Sequence, residues 1–201
     1  MLSLAKAVLI VVASVFILFL YLQFTSFFET TYSAPLNTAG IVERAPPKPS
    51  VTYLETPEPL KAIYMTACVA GTPSWRESLK KLIETTELNA VVIDIKDYTG
   101  HVSFRESSKC FVGDLKEFIE ELHYSNIYVI GRISVFQDPA YTKLHPELAM
   151  KKKSDGGVWK DYKGLSFIDV GAKPYWDYIL EISKQSYELG FDELNYDYVR
   201  Y

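Results

Sequence analysis

The residues best suited to chemistry lie in the segment 190–201, which reads GFDELNYDYVRY. A glycine that can end a helix is followed by a short strand-like run and then by acidic and aromatic side chains. Asp197 comes where this predicted strand ends, and a carboxylate in such a position can act as a general acid, a general base or a nucleophile. We therefore take Asp197 as the candidate catalytic residue and assign Tyr198 and Arg200, which flank the strand end, to substrate binding.

The elements that must position this segment alternate between strand and helix from residue 60 onward. Parallel strands joined by helices indicate an α/β fold with right-handed connections. Four such units correspond to half of an eight-stranded β/α barrel or to one half of an open doubly wound sheet. The first strand is not followed by a glycine-rich phosphate loop, which disfavours a dinucleotide-binding fold. The strands are predicted at residues 61–67, 90–95, 127–133 and 192–198.

Capping residues mark the ends of the predicted helices. Thr72, followed by a proline, is expected to cap the first helix, and Asp114 with Glu117 three residues later predicts a capping box. Asp138, also followed by a proline, begins a short helix, after which residues 150–164 form a long polar loop. The last helix is expected to end at Gly190.

Side chains alternate along a strand, so each charged position can be assigned to a face. This alternation places Asp94, Lys96, Arg132, Asn195 and Asp197 on the interior face near the strand ends. Because buried charges are tolerated mainly as opposite-sign pairs, we expect a ring of ion pairs around the mouth. The ring could bind substrate, or it could close the barrel without any catalytic role. Lys96 and Arg132 are expected to keep Asp94 ionised, and hence poor as an acid.

Three further positions between the second and fourth strands have alternative interpretations. Asp97 is expected to cap the turn that follows the second strand. The run Lys151–Lys153 is most simply a solvated loop face, and a membrane-surface role is less favoured. Trp159, in the long polar loop, is a candidate for stacking on a sugar or for packing in the core.

The metal-ligating residue types show no metal-binding pattern. His101, His123 and His145 are widely spaced, which predicts surface histidines and neither a metal nor another cofactor. Cys68 and Cys110 are the only cysteines, and they could form a disulfide in an exported domain or remain buried thiols. The net charge of −4 and the pI near 5.5 disfavour a nucleic-acid partner.

The beginning of the chain predicts a membrane anchor. Residues 7–24 are almost wholly apolar, and a helix of this length spans about 27 Å, close to the hydrocarbon thickness of a bilayer. The absence of a good cleavage site favours an uncleaved anchor over a signal peptide. Lys6 precedes the segment and Glu29 follows it, so residues 1–6 are expected in the cytoplasm and the remainder outside. The proline-rich residues 25–59 predict an extended linker or a disordered tether.

Four motifs in order make the chain resemble a bacterial family of glycosyl hydrolase domains with a TIM-barrel fold. They are NAVVIDIKDYTG at 89–100, IYVIGRI at 127–133, GGVW at 156–159 and the segment 190–201. The resemblance covers residues 60–201 and implies the first four units of an eight-stranded barrel. It also implies hydrolysis of O-glycosyl bonds in a cell-envelope or extracellular polysaccharide.

Glycoside hydrolysis normally needs two carboxylates. If Asp197 is one of them, its partner is expected on a later strand or, within this sequence, at Asp94. We therefore expect the chain to be a fragment that is inactive alone. The alternative is a non-catalytic carbohydrate-binding or scaffolding protein of the cell envelope.

Overall fold

The structure is a computed structural model that describes residues 51–199. A parallel four-stranded sheet lies at the centre of this part of the chain. The strands are hydrogen-bonded in chain order, as predicted, and their observed ends lie within two residues of the predicted ends. The strands are β1 (Ala62–Met65), β2 (Ala90–Lys96), β3 (Tyr128–Ser134) and β4 (Glu193–Asp197).

Helices connect successive strands. The connection from β1 to β2 contains α1 and α2, and a single helix, α3, lies between β2 and β3. The connection from β3 to β4 contains α4, a short 3₁₀ turn and the long α5. These elements are α1 (Ala67–Ala70), α2 (Pro73–Glu84), α3 (Leu115–Tyr124), α4 (Pro139–Leu144), the 3₁₀ turn (Pro146–Leu148) and α5 (Lys173–Leu189).

The hydrophobic core lies between one face of the sheet and the helices. Alternate residues of β2 and β3, among them Ile93, Val129 and Ile133, are fully buried against α3 and α5. Gly131 belongs to the same face, and a Cβ atom there would lie 2.1 Å from the side chain of Ile95. Only glycine lets the strand and its neighbours approach so closely.

All four predicted residues lie at the expected helix ends, but the capping bonds predicted for Thr72 and Asp114 do not form. Gly190 ends α5 in the left-handed conformation, and the Asp138 side chain caps α4 by accepting a bond from the amide of Tyr141. Thr72 instead donates its hydroxyl to the carbonyl of Cys68. Asp114 makes no capping bond and accepts two bonds from a guanidinium on α2, at 3.0 and 2.6 Å. A charged partner from another helix outcompetes the local backbone amide.

Residues 51–59, assigned to the linker from the sequence, pack beneath the amino ends of the strands. Tyr53 stacks on Tyr187 of α5 with ring centroids 4.5 Å apart, and the amide of Leu54 donates to Asp192 at 2.7 Å. The predicted anchor at 7–24 and the rest of the linker lie outside the described residues. Between residues 51 and 199, no helix is long and apolar enough to cross a membrane.

The surface prediction for His123 is wrong. Its side chain is only 8% exposed, and its Nε2 lies 2.9 Å from Oδ2 of Asp192, whose carboxylate is fully buried. The same oxygen accepts the amide of Val129 at 2.8 Å. A buried carboxylate needs several donors, and this one recruits the histidine from α3.

Candidate active site at the carboxyl ends of the strands

Arg132, on β3, joins the carboxylates of the two flanking strands. Its Nη1 donates to Oδ1 of Asp94 on β2 at 2.8 Å. Its Nε and Nη2 donate to Oδ2 of Asp197 on β4 at 3.1 and 2.7 Å. The strand register places Asn195 beside Arg132 on the same face of the sheet, and Asn195 is exposed. The structure therefore brings together four of the five predicted ring residues.

Two tyrosines flank this cluster. The Tyr64 hydroxyl donates to Oδ2 of Asp94, and the guanidinium of Arg132 lies over the rings of Tyr64 and Tyr198, at 5.8 and 5.7 Å from their centroids. Asp197 accepts the amide of Tyr198 at 2.7 Å. Tyr198 has φ 51°, a left-handed conformation that costs a non-glycine residue about 1 kcal/mol and turns the chain sharply after β4.

The two carboxylates of the cluster have different environments. The Asp94 side chain is 6% exposed and that of Asp197 is 46% exposed. Burial raises the pKa of Asp94, outweighing the hydrogen bonds from Tyr64 and Arg132 that lower it. Arg132 lowers the pKa of Asp94, as expected of a neighbouring cation, whereas Lys96 bonds elsewhere and the opposing effect of burial was not predicted. Burial opposes the charge of Arg132, but its bonds to both carboxylates raise its pKa overall.

Lys96 does not join the ring. A register irregularity between Asp94 and Lys96 pairs Lys96 with Ile133, and its side chain is fully buried. Its Nζ lies 3.0 Å from Oδ2 of Asp138, at the start of α4, and donates to the carbonyl of Ser134 at 2.6 Å. Burial lowers the pKa of Lys96. Strict alternation fails here because the bulge shifts the end of β2 by one position.

The buried pair of Lys96 and Asp138 supports the end of β3. The Tyr175 hydroxyl lies 2.8 Å from Oδ2 of Asp138 and 2.7 Å from the carbonyl oxygen of Val135, so its single proton is shared between two acceptors. The amide of Val135 in turn donates to the carbonyl of Asp197 at 2.8 Å. The pair thus acts on Asp197 through the backbone and makes no contact with the space above the sheet.

A cleft of about 680 Å³ opens beside this cluster. Tyr98, which is 51% exposed, and Gln137 form one wall, and Tyr198 connects the cleft to the Arg132 cluster. The opposite wall comes from the predicted polar loop, where Tyr162 is 91% exposed. Exposed tyrosines beside polar side chains are suited to binding sugar rings. The lining residues are Tyr98, Gln137, Asp161, Tyr162, Lys163, Leu165, Phe167 and Tyr198.

The remaining predicted site residues have mixed placements. Trp159 is half-buried and packs on Phe167, with ring centroids 5.6 Å apart, so it supports the cleft wall without lining the cleft. Asp97 caps the turn after β2, as predicted, by accepting the amides of Thr99 and His101. Arg200 lies outside the described residues.

Cys68 and Cys110 form a disulfide, with their Cα atoms 4.5 Å apart. Of the two alternatives for these cysteines, the bonded one is confirmed. The bond joins the segments that follow β1 and β2 and so ties two connections at the face that carries the cleft. Among residues 51–199, no group of three or more histidine, cysteine, aspartate or glutamate side chains is placed to hold a metal ion.

The comparison with protein families assigns the chain to a known class. The family described as a putative glycosyl hydrolase domain matches residues 62–201, and the chain belongs to this family. A hypothetical protein from Ruminiclostridium thermocellum has a similar crystal structure, with 34% sequence identity and a TM-score of 0.64. That alignment covers 69% of this chain and 77% of the other. No curated protein matches the sequence.

More distant solved structures share the fold alone. A noncanonic maltogenic α-amylase from Thermotoga neapolitana is 17% identical, with a TM-score of 0.50 over 71% of this chain and 39% of the amylase. An α-galactosidase from Thermus thermophilus is 10% identical, with a TM-score of 0.52 over 72% of this chain and 31% of the galactosidase. The described α/β sheet is thus similar to TIM-barrel glycoside hydrolases, and the chain spans less than half the length of these two enzymes.

Proposed function

We propose that the chain forms the first half of the barrel of a glycoside hydrolase that is anchored in a membrane and acts on a cell-envelope or extracellular polysaccharide. The observation that carries this proposal is the placement of Asp197. Its partly exposed carboxylate lies at the carboxyl end of β4, oriented by Arg132, beside a cleft with three tyrosines in its walls. Active sites of TIM barrels form at this end of the strands.

In this proposal Asp197 acts as the nucleophile or base, and the second carboxylate comes from a later strand. Arg132 fixes the direction of the Asp197 carboxylate through two hydrogen bonds, and a nucleophile or base needs such a fixed orientation. Asp94 is nearly inaccessible, and both of its oxygens are bonded within the cluster. Its role is to orient Arg132. Tyr98, Tyr162 and Tyr198 would stack on sugar rings.

The membrane and export assignments rest on the sequence and receive support from the disulfide. Residues 7–24 would anchor the protein, and residues 25–50 would separate the domain from the bilayer. A disulfide between Cys68 and Cys110 is typical of proteins outside the reducing cytoplasm. Protease accessibility of the domain in intact cells tests this placement, because a cytoplasmic domain would be protected.

The second candidate function is non-catalytic carbohydrate binding or scaffolding in the cell envelope. It is favoured by the engagement of both cluster carboxylates by a single arginine, an arrangement that also suits a purely structural network. The reading frame beyond Tyr201 separates the two candidates. Four further β/α units with another inward carboxylate favour the hydrolase, and an immediate stop codon favours the binding protein.

A glycan-hydrolysis assay on a protein that includes the four further β/α units tests the proposed function. The panel should include α-galactosides and α-glucans, because an α-galactosidase and an α-amylase are among the structural neighbours. Asp197→Asn is expected to lower kcat at least about a hundredfold. The control is Asp169→Asn, which changes an exposed carboxylate that bonds only the nearby amide of Gly171 in the described structure. Equal loss in both variants, or full activity in Asp197→Asn, would contradict the assigned role.

A further inference from the structure

The segment 149–168 forms one wall of the cleft and has a distinctive charge pattern. Three isolated antiparallel bridges fold it onto itself, joining 149 to 168, 151 to 158 and 160 to 166. We call this segment the basic lobe. It contains five lysines and only two aspartates, whereas the whole chain carries a net charge of −4. The positive charge of the lobe is therefore opposite in sign to that of the chain as a whole.

Both aspartates of the lobe are bonded locally. Asp155 accepts the amide of Gly157 at 2.9 Å and lies 3.4 Å from Nζ of Lys152. Asp161 accepts the amides of Lys163 and Leu165, at 2.9 and 2.8 Å, through a single carboxylate oxygen. These bonds keep the aspartates within their own turns, as is usual for aspartate in loops.

Lys160 and Lys163 remain without a carboxylate in the described part of the chain. Both residues are exposed, and neither belongs to an ion pair formed between residues 51 and 199. Lys163 lines the cleft, with its Nζ 5.4 Å from the centroid of the Tyr162 ring. The aromatic face attracts the ammonium group and favours a position beside a stacking surface. Lys160 pairs with Ser166 in the folded lobe and lies next to Asp161, which lines the cleft together with Lys163.

Between residues 51 and 199, the cation that lies beside the cleft outside the lobe is Arg132, which Tyr198 connects to the cleft. Arg132 is engaged by Asp94 and Asp197, so its charge is already compensated. A negatively charged group that enters the cleft is therefore attracted toward the lobe and away from Asp197. Such a group would orient the polymer: its negative charge would contact Lys163, and a neighbouring glycosidic bond would lie close to Asp197.

We infer that the cleft selects a polysaccharide that carries anionic groups, carboxylate or phosphate, and that the cleft residue Lys163 and its neighbour in the lobe, Lys160, determine this selectivity. The inference rests on the proposed function, because it names the substrate class of the same cleft. It adds that a neutral glycan of the same backbone is a poorer ligand.

Binding to matched polymers tests this inference on the full 201-residue chain in mild detergent. The carboxylate pair is polygalacturonate and its methyl ester, and the phosphate pair is a phosphorylated mannan and the unmodified mannan. The double variant Lys160→Gln/Lys163→Gln should bind the charged polymer about fivefold more weakly, since each exposed ion pair contributes only modestly. The control Lys81→Gln/Lys184→Gln changes the same charge at exposed positions on α2 and α5.

The outcomes separate this inference from the proposed function. The inference is supported if one charged polymer binds more tightly than its neutral counterpart and if the lobe variant, but not the control, reduces this difference. The polymer that shows the difference identifies the anionic group. Equal binding of charged and neutral polymers overturns it while the carbohydrate-binding function stands. Equal losses in the lobe and control variants also overturn it, since they show attraction to overall charge. If no glycan binds, both proposals fail.

Discussion

The buried ion pair beneath the active site gives a sharp prediction about stability. Lys96 and Asp138 are both fully buried, and their charged atoms lie 3.0 Å apart. Replacing Lys96 by methionine removes this pair and the bond to the carbonyl of Ser134. Among residues 51–199, Asp138 then keeps the amide of Tyr141 and the hydroxyl of Tyr175 as donors, and that hydroxyl is shared with the carbonyl of Val135. Breaking a buried pair on one side costs about 3–5 kcal/mol, so Lys96→Met should lower the free energy of unfolding by that amount.

The double variant Lys96→Met/Asp138→Asn distinguishes a charge effect from a packing effect. Asparagine can still accept the amide of Tyr141, but it leaves no unpaired buried charge. The double variant should therefore be more stable than the sum of the single losses predicts, with a coupling energy of about 2 kcal/mol. Urea unfolding of the full chain, followed by circular dichroism near neutral pH, measures all three variants.

Lys152→Met provides the control for this cycle. Lys152 forms an exposed pair with Asp155, in which the side chains are 46% and 58% exposed. Losing such a pair should change the free energy of unfolding by less than about 1 kcal/mol. A Lys96→Met loss no larger than this control, or strictly additive losses in the double variant, would refute the assigned role of the buried pair.

Three further predictions concern the disulfide, the tyrosines and the central arginine. Replacing Cys68 and Cys110 by alanine opens a loop whose ends are 42 residues apart, which should lower the free energy of unfolding by about 4 kcal/mol. Urea unfolding measures this loss, and a reductant should destabilise the wild type without affecting the variant. Burial raises the pKa of Tyr53 and of Tyr178 to about 12, so both phenols keep their protons in the folded state after the unfolded state loses them. The stability that the two protonated phenols contribute is complete below the ordinary pKa of 10.0 and is lost as the pH rises toward 12. The free energy of unfolding should therefore fall between pH 10 and pH 12, and it should fall less steeply in Tyr178→Phe. Arg132→Lys should weaken glycan binding about tenfold in a calorimetric titration, because lysine cannot hold two carboxylates with one planar fork; unchanged binding would contradict its positioning role.

Strand order and most of the cluster were predictable because they follow from local regularities. The apolar run of β2 and the alternation along β3 and β4 place Asp94, Arg132 and Asp197 on one face, and the structure joins all three. Lys96 was misplaced because a bulge is a local departure from that alternation and carries no composition signal in this sequence. The effect of burial on the pKa of Asp94 was also not predicted, since burial depends on the packing of distant segments.

Contacts between distant parts of the chain account for the other differences. Asp114 has a good local capping pattern, but Arg76 binds it from another helix. His123 has no sequence feature that sets it apart from a surface histidine, and only the buried Asp192 explains its place. The cleft tyrosines, Tyr98 and Tyr162, lie in connections without periodicity. The available signal was aromatic residues in polar loops after strands, which we applied to Trp159 alone.

Glycan binding by the full chain tests the central claim, that the cleft beside Asp197 and Arg132 receives a carbohydrate. Calorimetric titration of wild type and Tyr98→Ala with the oligosaccharide that binds best is the most direct measurement. Tyr98 is exposed in the cleft wall, and losing one stacking ring should weaken binding between about threefold and tenfold without changing the unfolding transition. The matched control is Tyr124→Ala, which removes a ring that is 95% exposed at the end of α3. Weaker binding in Tyr98→Ala alone is the predicted result, and equal affinity in wild type and both variants would contradict the account.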